Sequence, residues 1–418
     1  MLISPKCASL KMNTAKAEFR LLPQPSLFQI TCPDCQLWDS CGGAVSAPCQ
    51  CVWVDERRHQ CGTCNIICRE RYVVLEDGKV DTLASRLLDV TPLDELRLEQ
   101  HLDIFSFPVF IPDQTYNLPE DVTLNCEWAA IGLKRLISQP RDLPARPHSW
   151  LARSSFVRQK ARVGKNSRLL AIFNAKDDLL ESFWGMERLE FYDALVASKF
   201  DAVTGPTFSI NKFASEDNKT RIPDSHSAMM LNRHHRVMTE LAERFCVPIP
   251  NIYWRNDKDL EKWRKWLMRN ENVFCIYRDF SATKGEDYEQ FLDDLFDMVS
   301  AVDRPLHLLA TGIGCARAAT VVRKFADVGC KVSIISSDPI VKGNKNKALV
   351  YKGENRPDVI PMPDQKLSEI AVANVRVMEQ HLRAVTDALP TYSTTSGSIS
   401  RAYKFDTFMR DGLKQLTS

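Results

Sequence analysis

From about residue 100 onward, short apolar runs alternate with longer stretches whose apolar positions recur at helical spacing. Residues 306–310 are one such run, and it breaks at Thr311-Gly312-Ile313-Gly314, where glycines permit a tight turn and a close approach of backbone to a ligand. Over 315–328 the residues Ala319, Val322, Phe325 and Ala326 share one helical face, which stops at Gly329, a C-cap residue type. A second apolar run, 332–335, ends in Ser336-Ser337-Asp338-Pro339. Strand, helix and strand in this order make a βαβ unit, whose parallel strands present ligand-binding groups at their C-terminal ends.

The same alternation extends in both directions. Strands are expected at 107–111, 169–174, 200–204, 250–254 and 273–277, with Pro108 confining the first to an edge or end position. Helices are expected at 82–102, 126–137 (Trp128, Ile131, Leu133 and Leu136 inside), 178–197 and 225–245. Two more should follow, one burying Leu260, Trp263, Trp266 and Leu267 and one at 288–302. With seven or eight strands the pattern predicts an α/β fold, a TIM-like (β/α)8 barrel in preference to an open parallel sheet. The barrel should occupy 100–365, after a cysteine-rich module at 1–80 and before helical residues 366–418. In that last part 367–389 reads as one amphipathic helix, 391–400 as a Ser/Thr-rich loop and 403–416 as a final helix.

Composition adds little until the cysteines are counted. The chain has 418 residues, 44% of them hydrophobic, and a formal net charge of +2, so any nucleic-acid role needs a local basic patch. No apolar stretch is long enough to span a bilayer and the N-terminus lacks the order of a signal peptide, so a cytoplasmic protein with no membrane association is expected. Of 14 cysteines, eight lie between 32 and 68: Cys32, Cys35, Cys41, Cys49, Cys51, Cys61, Cys64 and Cys68. Pairs two apart let thiolates converge on one metal, and eight ligands suit two four-thiolate sites. The uneven triplets Cys32/Cys35/Cys41 and Cys61/Cys64/Cys68 favour iron–sulfur, most simply [4Fe–4S]; zinc is the alternative. The first triplet, running into Gly42-Gly43, resembles the auxiliary iron–sulfur domains of radical enzymes.

Other candidate chemistry is sparser. Arg153, Arg158, Lys160, Arg162, Lys165 and Arg168 form a basic segment with Phe156 interleaved, able to follow a phosphate backbone or simply to solvate a loop. Asp113, Arg255, Asp279 and Asp338 fall at expected strand ends, where catalytic groups gather in a parallel barrel. Gly312 and Gly314, opening a helix, with Lys342 and Lys345 nearby in sequence, suggest phosphate binding. His234-His235, on a helix with one of the pair on its apolar face, reads as packing.

Arg304-Pro305-Leu306-His307-Leu308-Leu309, Gly312, Gly314, Gly329, Pro339, Lys342-Gly343 and the segment 348–353 together resemble the last two βα units of the tRNA-guanine transglycosylase superfamily. That resemblance implies a TIM barrel that exchanges a base through an aspartate nucleophile, on RNA or on DNA. Aligning Pro339 and Gly353 places Ile335 at the nucleophile position, with Asp338 three residues on. The superfamily's Asp-Ser-Gly-Gly base-recognition loop is absent near Gly205, and so is its C-terminal zinc motif. Residues 200–266, with Thr207-Phe208-Ser209 and Ile222-Pro223-Asp224-Ser225, are also similar to an uncharacterised family of bacterial and phage-borne proteins. Three functions follow as expectations. The first is a transglycosylase-like enzyme acting on a base or nucleotide in nucleic acid, in a defence or modification system with further protein subunits. The second is a non-catalytic nucleic-acid-binding or interaction subunit. The third is an iron–sulfur redox enzyme on a small phosphorylated substrate.

Overall fold

The computed structural model describes residues 92–100, 106–138, 146–175, 177–180, 183, 188–208, 210, 224–244, 248–281, 285–351 and 356–389. The cysteine module at 32–68, and the loop and helix expected at 391–416, lie outside these residues.

Eight parallel strands form two four-stranded sheets. One contains, in spatial order, β1 (Phe110–Pro112), β10 (Lys331–Ser336), β9 (His307–Thr311) and β8 (Cys275–Asp279). The other contains β2 (Trp128–Gly132), β5 (Arg168–Ile172), β6 (Ala202–Thr204) and β7 (Pro248–Ile249). Isolated parallel bridges join Asp113 to Ala130 at one seam and Asn251 to Tyr277 at the other. At the second seam Tyr277 N–H donates to the Pro250 carbonyl at 2.9 Å and Ile252 N–H to the Tyr277 carbonyl at 2.8 Å. Continuous apolar strands belong in such sheets because both faces are covered. One buried cluster takes residues from all eight strands, among them Ile111, Trp128, Leu170, Ala202, Ile249, Tyr277, Leu309 and Ile335.

Helices cover the outer faces. In chain order they are α1 (Leu133–Leu136), α2 (Ser154–Ala161), α3 (Asp177–Leu180), α4 (Arg188–Ser198) and α5 (Asp224–Glu243). Then come α6 (Asp257–Arg269), α7 (Glu286–Ser300), α8 (Cys315–Ala326), α9 (Asp338–Gly343) and α10 (Leu367–Asp387). Two small antiparallel pairs complete the structure, β3 (Ile137–Ser138) with β4 (Arg146–Pro147) and β11 (Lys347–Val350) with β12 (Asp358–Pro361). The amphipathic helix expected at 367–389 is present as α10, but it is no appendage. Met378 and Leu382 are fully buried in the same core cluster as Leu308 and Ile334, so the boundary at 366 does not divide two cores. The same holds at the other boundary. Leu93, Leu96 and Leu98 are buried in that cluster, and Gln100 bonds with its side chain to the backbone of Phe274 and Cys275 at the start of β8.

Several elements differ from their sequence reading. Residues 126–137 are not one helix: Trp128–Gly132 is a buried strand, and only the single turn of α1 is helical. Ala129 and Ala130 read as helix formers, yet a short apolar run buried on both faces has no period to separate the two states. The helix expected at 178–197 is two helices, α3 and α4. Of the helix expected at 82–102, the described part has a single 3₁₀ turn at Pro92–Asp94. The strand expected at 250–254 lies at Pro248–Ile249, and the first strand at Phe110–Pro112 rather than 107–111.

Candidate functional site

Because the strands are parallel, their C-terminal ends open on one side, and there a cleft of about 930 Å³ lies. Its lining comes from the ends of many strands: Asp113, Gln114 and Tyr116 after β1, Gly132 at the end of β2 and Lys134 after it, Asn174 after β5. Ser281 after β8, Thr311 to Gly314 at β9 and Ser336 to Asp338 at β10 complete its polar part. Ile172 and Ile335 supply apolar floor.

Two carboxylates in this lining have opposite environments. Burial lifts the Asp113 carboxyl to about 6, although the Gln114 N–H, donating at 2.6 Å, favours the ionised form. Burial also pushes on Asp338, but there the Lys342 ammonium, the N–H of Cys315 at 3.1 Å and the Cys315 thiol outweigh it and hold the carboxyl below its ordinary value. Ser336 links the two. Its carbonyl accepts the Asp113 N–H at 3.1 Å, and its hydroxyl oxygen accepts the Asp338 N–H at 3.2 Å. Burial and the Asp113 charge raise the Tyr116 hydroxyl, with Arg135 stacked 5.0 Å from the ring as a partial offset.

Asp279, the last residue of β8, emerges at the same end as Asp338 but does not itself line the cleft. Its carboxylate accepts from Asn174 Nδ2 at 2.5 Å, Thr311 Oγ1 at 2.8 Å and Ser281 N–H at 3.0 Å. Asp279 therefore orients two groups that do line it, Asn174 and Thr311. Arg255 is elsewhere. It is 2% exposed and holds Asp259 in a two-pronged ion pair, Nε to Oδ2 at 2.6 Å and Nη2 to Oδ1 at 2.9 Å, so the expectation that it faces the cleft fails.

Gly312 and Gly314 both line the cleft, and Gly312 is indispensable to the loop. With φ 77°, a Cβ there would sit 2.2 Å from the Ser281 backbone nitrogen. Lys342 is committed to Asp338, while Lys345 is exposed and not part of the lining. In the basic segment, Arg153, Lys160 and Lys165 are exposed. Arg158 reaches Asp201 at 3.5 Å and Arg162 reaches Glu120 at 3.4 Å, and Arg168 lies 5.4 Å over the Trp128 ring. His234 donates from Nδ1 to the Pro206 carbonyl at 2.6 Å. Burial holds both imidazoles far from protonation, that of His235 down at about 3, in keeping with packing.

Gln114, Tyr116, Lys134 and Asn174 are cleft residues that sequence reasoning passed over. Gln114 adopts φ 58°, an uncommon conformation for a side chain-bearing residue and a form of local strain that clusters at functional sites. Nothing in the local sequence signals it. Lys134 was hidden by reading β2 as helix, since a strand ending at Gly132 would have placed the residues after it at the cleft. Asn174 follows a correctly read strand and was accessible by the same strand-end rule.

Among the described residues no group of three or more His, Cys, Asp or Glu side chains could hold a metal ion. Nor is any helix among them long and apolar enough to cross a membrane. In comparisons with known proteins, no protein-family model matches the chain and no curated protein matches it.

Proposed function

We propose that the eight strands close into a (β/α)8 barrel and that the cleft at their C-terminal ends is the active site of a transglycosylase-like enzyme, acting on a nucleoside unit, free or within nucleic acid. Closure is supported by the two parallel bridges between the sheets and by the buried cluster to which every strand contributes. The observation that carries the function is the pair Asp113 and Asp338, two carboxyls in one cleft whose surroundings push their protonation apart. Base exchange needs both forms. An ionised carboxylate attacks the sugar carbon as the bond to the base nitrogen breaks, and a protonated one gives its proton to the leaving base. Asp338 fills the first role and Asp113 the second; an incoming base then displaces Asp338 and returns a proton to Asp113. Asn174, oriented by Asp279, is placed to hydrogen-bond the substrate, while Thr311, held between Asp279 and Tyr277, shapes the cleft wall. The resemblance of residues 304–353 to the transglycosylase superfamily agrees with this reading, with Asp338 taking the place that Ile335 cannot fill.

The cysteines at 32–68 form, on this proposal, a metal module, iron–sulfur by preference and zinc as the alternative, in a protein of a reducing cytoplasm. The exposed Arg153, Lys160 and Lys165 offer charge for a nucleic-acid backbone.

The test is incorporation of radiolabelled guanine or a 7-deazaguanine into bulk tRNA and DNA by the purified protein. Asp338→Asn should abolish exchange while costing about 1 kcal/mol of stability or less, the worth of a half-buried ion pair with Lys342. Ile335→Ala, at a fully buried position, should instead cost roughly 2–5 kcal/mol. Full exchange by the folded Asp338→Asn protein would remove the nucleophile assignment, and no exchange with any nucleic acid would leave the binding-subunit reading ahead.

A further inference from the structure

The loops after β9 and β10 have the build of an anion seat. The tight Gly312 turn brings the chain into the 12-residue helix α8, where the Gly314 carbonyl takes the Arg317 N–H at 3.0 Å while the Cys315 N–H, at the positive end of the helix, is turned to negative charge. Late strand-end loops of this kind commonly hold phosphate esters in parallel α/β folds. Here a carboxylate from the chain already occupies the position. Asp338 Oδ2 accepts the Cys315 N–H at 3.1 Å and would lie 3.5 Å from a Cβ on Gly314, while Oδ1 is ion-paired with Lys342. The internal carboxylate thus has both the helix terminus and the ammonium that a phosphate would need. Burial and the neighbouring Asp338 charge also keep the Cys315 thiol protonated, able to donate to the same carboxylate.

We infer that Asp338 plugs this anion seat, so that the group bound at this end of the cleft is uncharged, a heterocycle or a hydroxyl-bearing sugar, and not a phosphate ester. The inference rests on the cleft being a substrate site, and it narrows what that site accepts. A phosphate about 4 Å from the Asp338 carboxylate in a partly buried cleft would bind roughly a thousandfold more weakly than at the same seat without it. A nucleoside unit within a strand fits this if its base and sugar enter the cleft and its phosphates stay outside.

Inorganic phosphate is the probe, titrated by calorimetry into the full-length protein at constant ionic strength. The natural protein should give no binding heat up to about 10 mM, whereas Asp338→Ala and Asp338→Ser should bind with Kd on the order of 1 mM or below. Asp338→Ser keeps a polar side chain in the first turn of α9 and so tests the seat even if the alanine variant unfolds. Adding Lys342→Met to Asp338→Ser should abolish the acquired binding. Phosphate binding by the natural protein as tight as that of the variants overturns the inference, as does a folded Asp338→Ser protein that binds none. The readout is phosphate binding alone, so failed base exchange would leave it standing and failed phosphate binding would leave the exchange assay untouched.

Discussion

Asp113 is a carboxyl that folding makes harder to ionise. Its folded value of about 6 lies above the ordinary 3.8, so the folded protein holds a proton there that the unfolded chain has released. Stability from this group is therefore fully present below pH 4, declines as pH rises from about 4 to 6, and is gone above that window. Asp113→Asn, which cannot ionise, should melt at a higher temperature than the natural protein at pH 7 to 8, with the difference vanishing toward pH 4. Thermal melts across that range check it, and a constant difference at all pH values would assign the effect to something other than ionisation. On the proposed reading the same variant should also lose base exchange, since asparagine lacks the proton that Asp113 would give to the leaving base. The residue scale is also where local sequence said least. The αL conformation of Gln114 and the capture of Asp338 by Lys342 depend on neighbours from other elements or on a helix turn that no strand-end rule anticipates.

At the scale of elements, α9 and α10 meet with almost no space between them. A Cβ on Gly343 would lie 2.3 Å from the Ala371 Cα, so backbone approaches backbone. Gly343→Ala should force the two helices apart and destabilise by about 1–3 kcal/mol, the range for overpacking, measured as a lower urea midpoint at unchanged slope. An unchanged midpoint would mean that α10 can shift freely on the core, against the burial of Met378 and Leu382. The helix α2 and its flanks sort the basic segment in a way that spacing alone did not. Arg158 and Arg162 have carboxylate partners within the chain, whereas Arg153, Lys160 and Lys165 are exposed. If the segment follows a nucleic-acid backbone, changing those three exposed residues to glutamine should weaken binding to all sequences and lower the salt slope by about three, one per lost phosphate contact. Filter binding at several salt concentrations would show this, and an unaltered slope would make the segment a solvated surface.

For the whole molecule, one core cluster takes residues from Leu93 through Val385, so the described segments before residue 100 and after 366 belong to the fold around the sheets. The eight cysteines at 32–68, proposed to form a metal module, lie before it in sequence. Anaerobically purified full-length protein should contain iron with charge-transfer absorption, or zinc without it, and Cys35→Ser or Cys64→Ser should lose metal and solubility together, because small thiolate-rich metal sites couple metal binding to folding. Less than about half an equivalent of either metal would dismiss the module.

The sequence by itself determined the alternation of strands and helices, the strand–helix–strand order at 307–336 and the strand-end positions of Asp113, Asp279 and Asp338. Those features follow from periodicity and turn residues, which are local. It misread Trp128–Gly132, because burial on both faces erases the period that distinguishes strand from helix. Only the tertiary structure decided that Arg255 turns to Asp259 and away from the cleft, that Asp279 orients Asn174 and Thr311, and that Asp338 fills the anion seat at Cys315. Most of these contacts join residues distant in the chain, and even the Arg255 pair was settled by where the fold buries that side chain; propensity and spacing carry no information about either.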